Sequence, residues 1–249
     1  MKALITGASS GIGKEIALYL SGFGYDIYVV SQSRDELEKI YKDVDGKVVY
    51  LEFDLTKEDN CFLLYEKVRQ EKIDIFVNNA GFGDAGNFTE TKLDKELKMI
   101  NLNIRAYHIL MKLFLQDFEK RGYGRILNVA SMSGFMPGPY MATYYATKAY
   151  IIKLSLAVYE ELRQSNSNVK ISIFCPGPVK TNFSDVANVH FNINSITASE
   201  AAKNAIDGMF LNKLVIIPLN MKVNYILAKI APIKVVLMIN SLIQERASK

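Results

Sequence analysis

Tyr144 stands four residues ahead of Lys148 in the run Ala-Thr-Tyr-Tyr-Ala-Thr-Lys-Ala-Tyr at positions 142–150. On a helix, that spacing stacks the two side chains on one face. A free phenol titrates near ~10 and is a poor proton donor or acceptor at neutral pH. An ammonium group beside it favours the phenolate, lowers that value and makes the phenol usable in acid–base chemistry. The same spacing also arises where a core tyrosine sits beside a solvated lysine, so the rest of the chain has to decide. Tyr145 lies three residues from Lys148 and aligns with Ala149, Ile152, Leu156 and Tyr159, a stripe that marks it as a packing residue.

A second chemistry lies near the start of the chain. Residues 3–6 read as a short buried strand, Gly7-Ala-Ser-Ser-Gly11-Ile-Gly13 follows at once, and a helical pattern opens at Lys14. Strand, glycine-rich turn and helix in that order suit a dinucleotide phosphate site. Glycines let the backbone turn sharply and approach the pyrophosphate, while the helix start offers free N–H groups and a partial positive charge. A tight turn with a glycine-assisted helix start is the plainer alternative.

The elements that must position these clusters alternate along the chain. Strands are expected at 3–6, 26–31, 48–53, 73–77, 125–129, 169–174 and 214–217, and helices from Lys14 and at 34–44, 57–72, 93–120 and 142–164. Near-continuous apolar strands separated by helices imply an α/β fold: a single-domain, Rossmann-type, doubly wound parallel sheet of about seven strands with helices on both faces. Within a domain spanning 1–249, residues 1–130 are expected to be mainly dinucleotide-binding and 131–217 to carry the catalytic and substrate segments, with 218–249 as a basic, apolar helical extension. Ligands of such sheets bind beyond the carboxyl ends of the strands. The polar clusters at 7–13, 54, 78–81, 131–133 and 176–181 all follow strands, so they should meet on one rim.

Several motifs stand in a telling order: Thr6-Gly7-x-x-x-Gly11-x-Gly13, Asn78-Asn79-Ala80-Gly81, Ser131, Tyr144-x-x-x-Lys148, and Pro176-Gly177 followed by Thr181. Through them the sequence resembles the short-chain dehydrogenase/reductase family over nearly its whole length. The glycine spacing and the 249-residue length point to its short oxidoreductase branch. The resemblance implies hydride transfer between a nicotinamide and a carbonyl or secondary alcohol, with Tyr144 giving or taking the hydroxyl proton. It further implies that Lys148 lowers the tyrosine's pKa and holds the nicotinamide ribose, and that Ser131 steadies the substrate oxygen. Asn101 would hold a water linking Lys148 to solvent. Ser133 and Asn103 are the nearby alternatives to Ser131 and Asn101. The implied cofactor site comprises Gly7, Ser9, Ser10, Gly11, Ile12 and Gly13, then Ser31, Arg34, Asp54 and Leu55. It is completed by Asn79, Ala80 and Gly81, by Tyr144 and Lys148, and by Pro176, Gly177, Val179 and Thr181.

NAD preference normally rests on an acidic residue about 20 positions past the glycines. Here the second strand runs into Ser31-Gln32-Ser33-Arg34, with no carboxylate before Asp35. Ser31 can accommodate a 2′-phosphate and Arg34 can pair with it, so NADP(H) is expected over NAD(H). Gln32 stands where NADP-preferring relatives often carry arginine. The loop 132–141 and the segment 182–196, which resembles the family's mobile lid, supply Phe135, Met136, Tyr140, Phe183, Val186, Phe191 and Ile193. Such a lining suits a medium-sized apolar carbonyl compound or alcohol. A catalytically inactive nucleotide-binding regulator would be marked by loss of Ser131, Tyr144 or Lys148, and all three are present.

Hydrophobic residues make up 49% and charged residues 22%, as in ordinary soluble proteins. His108 and His190 have no metal-ligand partners at useful spacing, so no metal site is expected. Cys61 and Cys175 are too few for a disulfide framework and read as small packing groups in a reduced, cytoplasmic setting. The first strand begins at residue 3, which leaves no room for a signal peptide, and no apolar run approaches the ~20 residues of a membrane-spanning helix. Six of the 30 basic residues but one of the 26 acidic ones fall from residue 209 onward, so the tail carries +5 and the body −1. The body therefore offers no electrostatic case for nucleic acid. In the tail, Val223, Ile226, Leu227 and Ile230 mark one apolar face, and Val235, Met238, Ile239, Leu242 and Ile243 mark another beyond Pro232. This suits a membrane-surface element or, as the favoured expectation, packing against the body or a partner subunit. Helices 102–118 and 144–162 are apolar around more than one stripe and need burial on two sides. By the family resemblance, they would pair across a homodimer or homotetramer.

Overall fold

The computed structural model describes residues 1–189 and 195–247, so His190, Phe191 and Ile193 lie outside the described residues. The elements run β1 (Lys2–Thr6), α1 (Gly11–Gly22), β2 (Asp26–Ser31), α2 (Arg34–Tyr41), β3 (Val48–Glu52), α3 (Glu58–Val68), β4 (Ile75–Asn78), α4 (Leu93–Ile100), α5 (Tyr107–Arg121) and β5 (Arg125–Val129). There follow α6 (Ala142–Gln164), β6 (Lys170–Phe174), β7 (Val179–Lys180), α7 (Phe183–Ala187), β8 (Ile196–Thr197), α8 (Ala198–Phe210), β9 (Val215–Ile216), α9 (Lys222–Ile230) and α10 (Ile233–Ala247).

Seven strands form one sheet in the order β3-β2-β1-β4-β5-β6-β9, every pair parallel. Strands such as β2 are buried along nearly their whole length because both faces are covered. On one face α3, α5 and α6 pack through Leu64, Phe114, Phe118, Ile151 and Ile152 against Leu4, Phe76 and Ile126. On the other, α1, α2 and α8 pack through Ile16, Leu20, Leu37 and Ile206 against Ile5, Val29 and Val77. The strand order reverses between β1 and β4, which opens a crevice at their carboxyl ends. The short pair β7–β8 forms a separate two-stranded sheet beside that rim.

The single helix expected over 93–120 is interrupted. Between α4 and α5, residues Asn101–Ala106 form a π-type turn, a wider turn that shifts the register of the residues it carries. Asn103, Ala106, Tyr107 and Leu110 therefore share the buried side, while Asn101 stays partly exposed.

The tail packs on the body along one side. Phe135 meets Tyr225 edge-to-face at 4.9 Å, Asn240 donates to the Pro137 carbonyl at 2.8 Å, and Gln244 donates to the Tyr145 hydroxyl at 2.6 Å. No helix among the described residues is long and apolar enough to cross a membrane.

Candidate active site

The glycine turn sits at the crevice, and its shape depends on side chains that are not there. Gly7 and Gly11 hold φ values of 66° and 54°, a left-handed conformation that other residues adopt only with strain. A Cβ on Gly13 would lie 2.3 Å from the Gly7 carbonyl oxygen, so the start of α1 can approach the turn only as glycine. Ser10 occupies the N-cap position in an extended conformation without a side-chain cap. The first N–H groups of α1 thus keep their capacity for an anion. The turn is pinned from β4: Thr6 Oγ1 accepts from the Asn79 and Ala80 amides at 2.9 and 3.0 Å. Asn79 Nδ2 in return donates to the carbonyls of Thr6 and Gly7 at 2.9 and 3.2 Å. Thr181 closes the far side, its Cγ2 3.1 Å from where a Gly11 Cβ would stand. These features fit a dinucleotide pyrophosphate.

At the end of β2, Ser31 is buried and its hydroxyl accepts from the Ser33 amide at 3.2 Å. Gln32 donates to Asp54 at 2.9 Å, and Thr56 donates to the same carboxylate oxygen through its amide and hydroxyl. Arg34 is not brought to the crevice with the others. Its guanidinium pairs with Glu38 one helical turn on, at 2.6 Å, and it is exposed outside the crevice. A first-turn position on α2 places the i+4 carboxylate within reach of the guanidinium.

Tyr144 and Lys148 are both buried on the inner face of α6. The ammonium lies 5.8 Å from the tyrosine ring centre and donates to the Val129 carbonyl at 3.1 Å. Desolvation lowers the Lys148 pKa to about 8. Burial likewise pushes the Tyr144 phenol well above its usual value, with the Ser131 hydroxyl drawing it back. With protein groups alone acting, the apolar surroundings of the phenol set the direction of its shift. Those surroundings are Met99, Met141, Ala187 and Val189, with Phe183 at 5.2 Å from the ring. Ser131 caps the short helical turn that begins at Met132, its Oγ accepting from the Ser133 amide. Among the described residues, Ser133 Oγ is buried without a hydrogen-bond partner.

Asn101 is likewise not brought to the crevice. It lies away from the crevice, beside Glu58, Arg105 and His108, where His108 Nδ1 is 2.7 Å from the Tyr150 hydroxyl. Asn103 is the asparagine at the site. It is 1% exposed, its Nδ2 donates to the Phe82 carbonyl and Thr147 Oγ1, and its Oδ1 accepts from the Phe82 amide. A Cβ on Gly81 would sit 2.9 Å from Asn103 Oδ1 and 3.7 Å from Lys148 Nζ, so the three groups converge. The buried-face spacing of Asn103 with Ala106, Tyr107 and Leu110 is a signal already present in the sequence.

One cavity of about 1160 Å³ unites these parts. Apart from Arg34 and Asn101, every candidate catalytic and cofactor residue named from the sequence lines it, as do Gln32, Thr56 and Ser133. Tyr145 packs against the Met99–Met141–Tyr144 cluster, as its stripe suggested, and lines the cavity too. Sequence reading did not find the contribution of the tail: Met221, Asn224, Asn240, Ile243 and Gln244 complete the wall. Asn240 and Gln244, two amides four apart on α10, were the available sign.

A profile of the family described as short chain dehydrogenase matches residues 1–190. Over 170 residues the chain is 32% identical to a very-long-chain 3-oxoacyl-CoA reductase of Pyrenophora tritici-repentis; the match covers 64% of this chain and 50% of that relative, so the chain spans half the relative's length. A short-chain dehydrogenase from Sphingobium yanoikuyae, solved in complex with NADPH, superposes with a TM-score of 0.82 at 28% identity, over 90% of this chain and 91% of the other. A bulky-bulky ketone specific alcohol dehydrogenase from Comamonas testosteroni superposes with a TM-score of 0.79 at 26% identity, over 90% and 88%.

Proposed function

The chain belongs to the short-chain dehydrogenase family of NAD(P)-dependent oxidoreductases, and on that premise we propose that it interconverts a carbonyl and a secondary alcohol on a medium-sized, mainly apolar substrate, with Tyr144 as general acid and base. The observation that carries this reading is the buried Tyr144 phenol, within the influence of the Ser131 hydroxyl and one turn from Lys148, in the same cavity as the glycine cradle.

The nicotinamide, when bound, supplies or accepts the hydride. The protein's share is to bind, orient and move the proton. The uncapped start of α1 and the Gly7–Gly13 turn hold the pyrophosphate. Ser131 hydrogen-bonds the substrate oxygen as charge builds on it, in a pocket whose low dielectric strengthens that bond. A phenol held neutral by burial is a ready donor to that oxygen. Lys148, with its pKa near 8, exchanges protons at physiological pH, engages the nicotinamide ribose, and is re-supplied along the Asn103 side of the site. Phe82, Met141, Phe183 and Val186 exclude water from the reacting centre.

NADP(H) is the proposed cofactor, supported by a β2 terminus of Ser31, Gln32 and Ser33 without a carboxylate. Arg34 takes no part in that support while Glu38 holds it. A cytoplasmic setting and assembly into a homodimer or homotetramer belong to the same reading.

Tyr144→Phe should lower kcat by roughly 10²–10⁴-fold while dinucleotide affinity, read by fluorescence titration, changes little. Turnover close to the parent protein's would remove Tyr144 from the mechanism. The cofactor assignment predicts a higher kcat/KM with NADPH than with NADH, and the opposite ratio would reverse it.

A further inference from the structure

The tail helices carry their polarity inside out. On α10, Asn240 and Gln244 are buried at 8% and 3% exposure, whereas Met238 and Leu242 on the opposite side are 61% and 52% exposed. On α9, Ile226 and Ile230, one turn apart, are 55% and 72% exposed. A dozen of the exposed large apolar side chains among the described residues fall between Leu219 and Ile243. That many exposed apolar side chains on two consecutive helices, left to water, are costly and mark a contact.

Charge identifies what makes the contact. Lys222, Lys229 and Lys234 are exposed along the margins of these apolar faces, and residues 209–249 hold six basic residues against one acidic residue. A second copy seated on this face would bring a second basic surface to it, with Glu245 the tail's one carboxylate to offset the charge. An anionic surface meets both features at once: apolar side chains enter its hydrocarbon boundary while lysine stems extend along them to place the ammonium groups among negative headgroups.

We propose that the outward faces of α9 and α10 seat the protein on an anionic lipid bilayer. The binding surface is separate from the chemistry at Tyr144 and does not depend on it. The inner face of the same α10 lines the cavity through Asn240, Ile243 and Gln244, so docking brings the substrate chamber alongside the membrane.

The full-length protein should co-sediment with vesicles of phosphatidylcholine and phosphatidylglycerol in equal parts, bind far less to phosphatidylcholine alone, and be released by high salt. Replacing Lys222, Lys229 and Lys234 singly by Gln should weaken binding about fivefold each. The combined Ile226→Ser, Ile230→Ser, Met238→Ser and Leu242→Ser protein should lose vesicle binding while keeping its thermal melting temperature and its NADPH affinity, which confirm that it is folded. Vesicle-free protein in the pellet assay overturns the proposal. If the four-serine variant also elutes as a smaller species than the parent on size exclusion, the face belongs to a second copy. If binding ignores lipid charge, the lysine argument fails and the proposal with it.

Discussion

Lys148 is costly to keep where it is. Its folded-state pKa falls from 10.5 to about 8 through desolvation, so the unfolded chain holds the proton more tightly than the folded one. The destabilisation is complete below pH 8, fades as pH rises from 8 to 10.5, and is gone above that. Lys148→Met should therefore raise stability below pH 8 by up to about 3 kcal/mol, less what is lost with the hydrogen bond to Val129, while ending turnover. Denaturant melts across that range should show the advantage of the variant shrinking as pH rises. A variant less stable than its parent at every pH would mean that the Val129 bond outweighs desolvation. Tyr144 behaves differently: its raised pKa leaves neutral stability untouched and weakens the fold only above pH 10, where the unfolded chain releases a proton that the buried phenol retains. The lysine and tyrosine were legible in the sequence from spacing alone. Their proton affinities were not, because these depend on Met99, Met141 and Val189, far apart in the chain and gathered only by folding.

At the scale of the element, the π-type turn between α4 and α5 carries the asparagine that reaches the site. The helical spacing of Asn103 with Ala106, Tyr107 and Leu110 already favours it over Asn101, whose own face carries Ile104, Arg105 and His108, and the turn keeps Asn103 on the buried side. Asn103→Ala leaves the Phe82 backbone unpaired and should cost about 1–3 kcal/mol of stability together with most of kcat. Asn101→Ala should leave both near the parent values. Urea melts and NADPH-oxidation rates on the pair make the comparison, and equal losses would mean the turn does not select between them. By contrast, α6 runs from Ala142 to Gln164, the bounds its apolar pattern suggested, because nothing along it breaks the helical period. The tail was half legible. Its two helices and the break near Pro232 followed from sequence, but the burial of Asn240 and Gln244 did not, since amides one turn apart on an amphipathic helix ordinarily mark its solvent face.

For the whole molecule, the cavity draws on positions from Gly7 to Gln244, so a ligand that fills it ties together segments from nearly the whole chain. NADPH at about 100 times its dissociation constant should stabilise the fold by about 2.7 kcal/mol, which for a chain of this size is a rise in Tm of roughly 5–10 °C. Gly13→Ala, whose Cβ would collide with the Gly7 carbonyl, should abolish that rise. The parallel sheet, its strand count and the rim where the polar clusters meet were all readable from the alternation of apolar runs, since a doubly covered sheet leaves few other patterns available. The cofactor's adenosine end was less readable: Arg34 turned to Glu38, a choice between two partners that spacing does not rank.

The bonds that pin the glycine turn also set an order of events in time. Thr6 and Gly7 are held by Asn79, more than seventy positions later in the chain. A nascent polypeptide that has emerged only through β3 possesses all three glycines and the helix that follows them, yet lacks the side chain that fixes their carbonyls. The grip on the glycine turn thus arrives only after the fourth strand, and a stalled or truncated chain ending before it carries the motif without that grip.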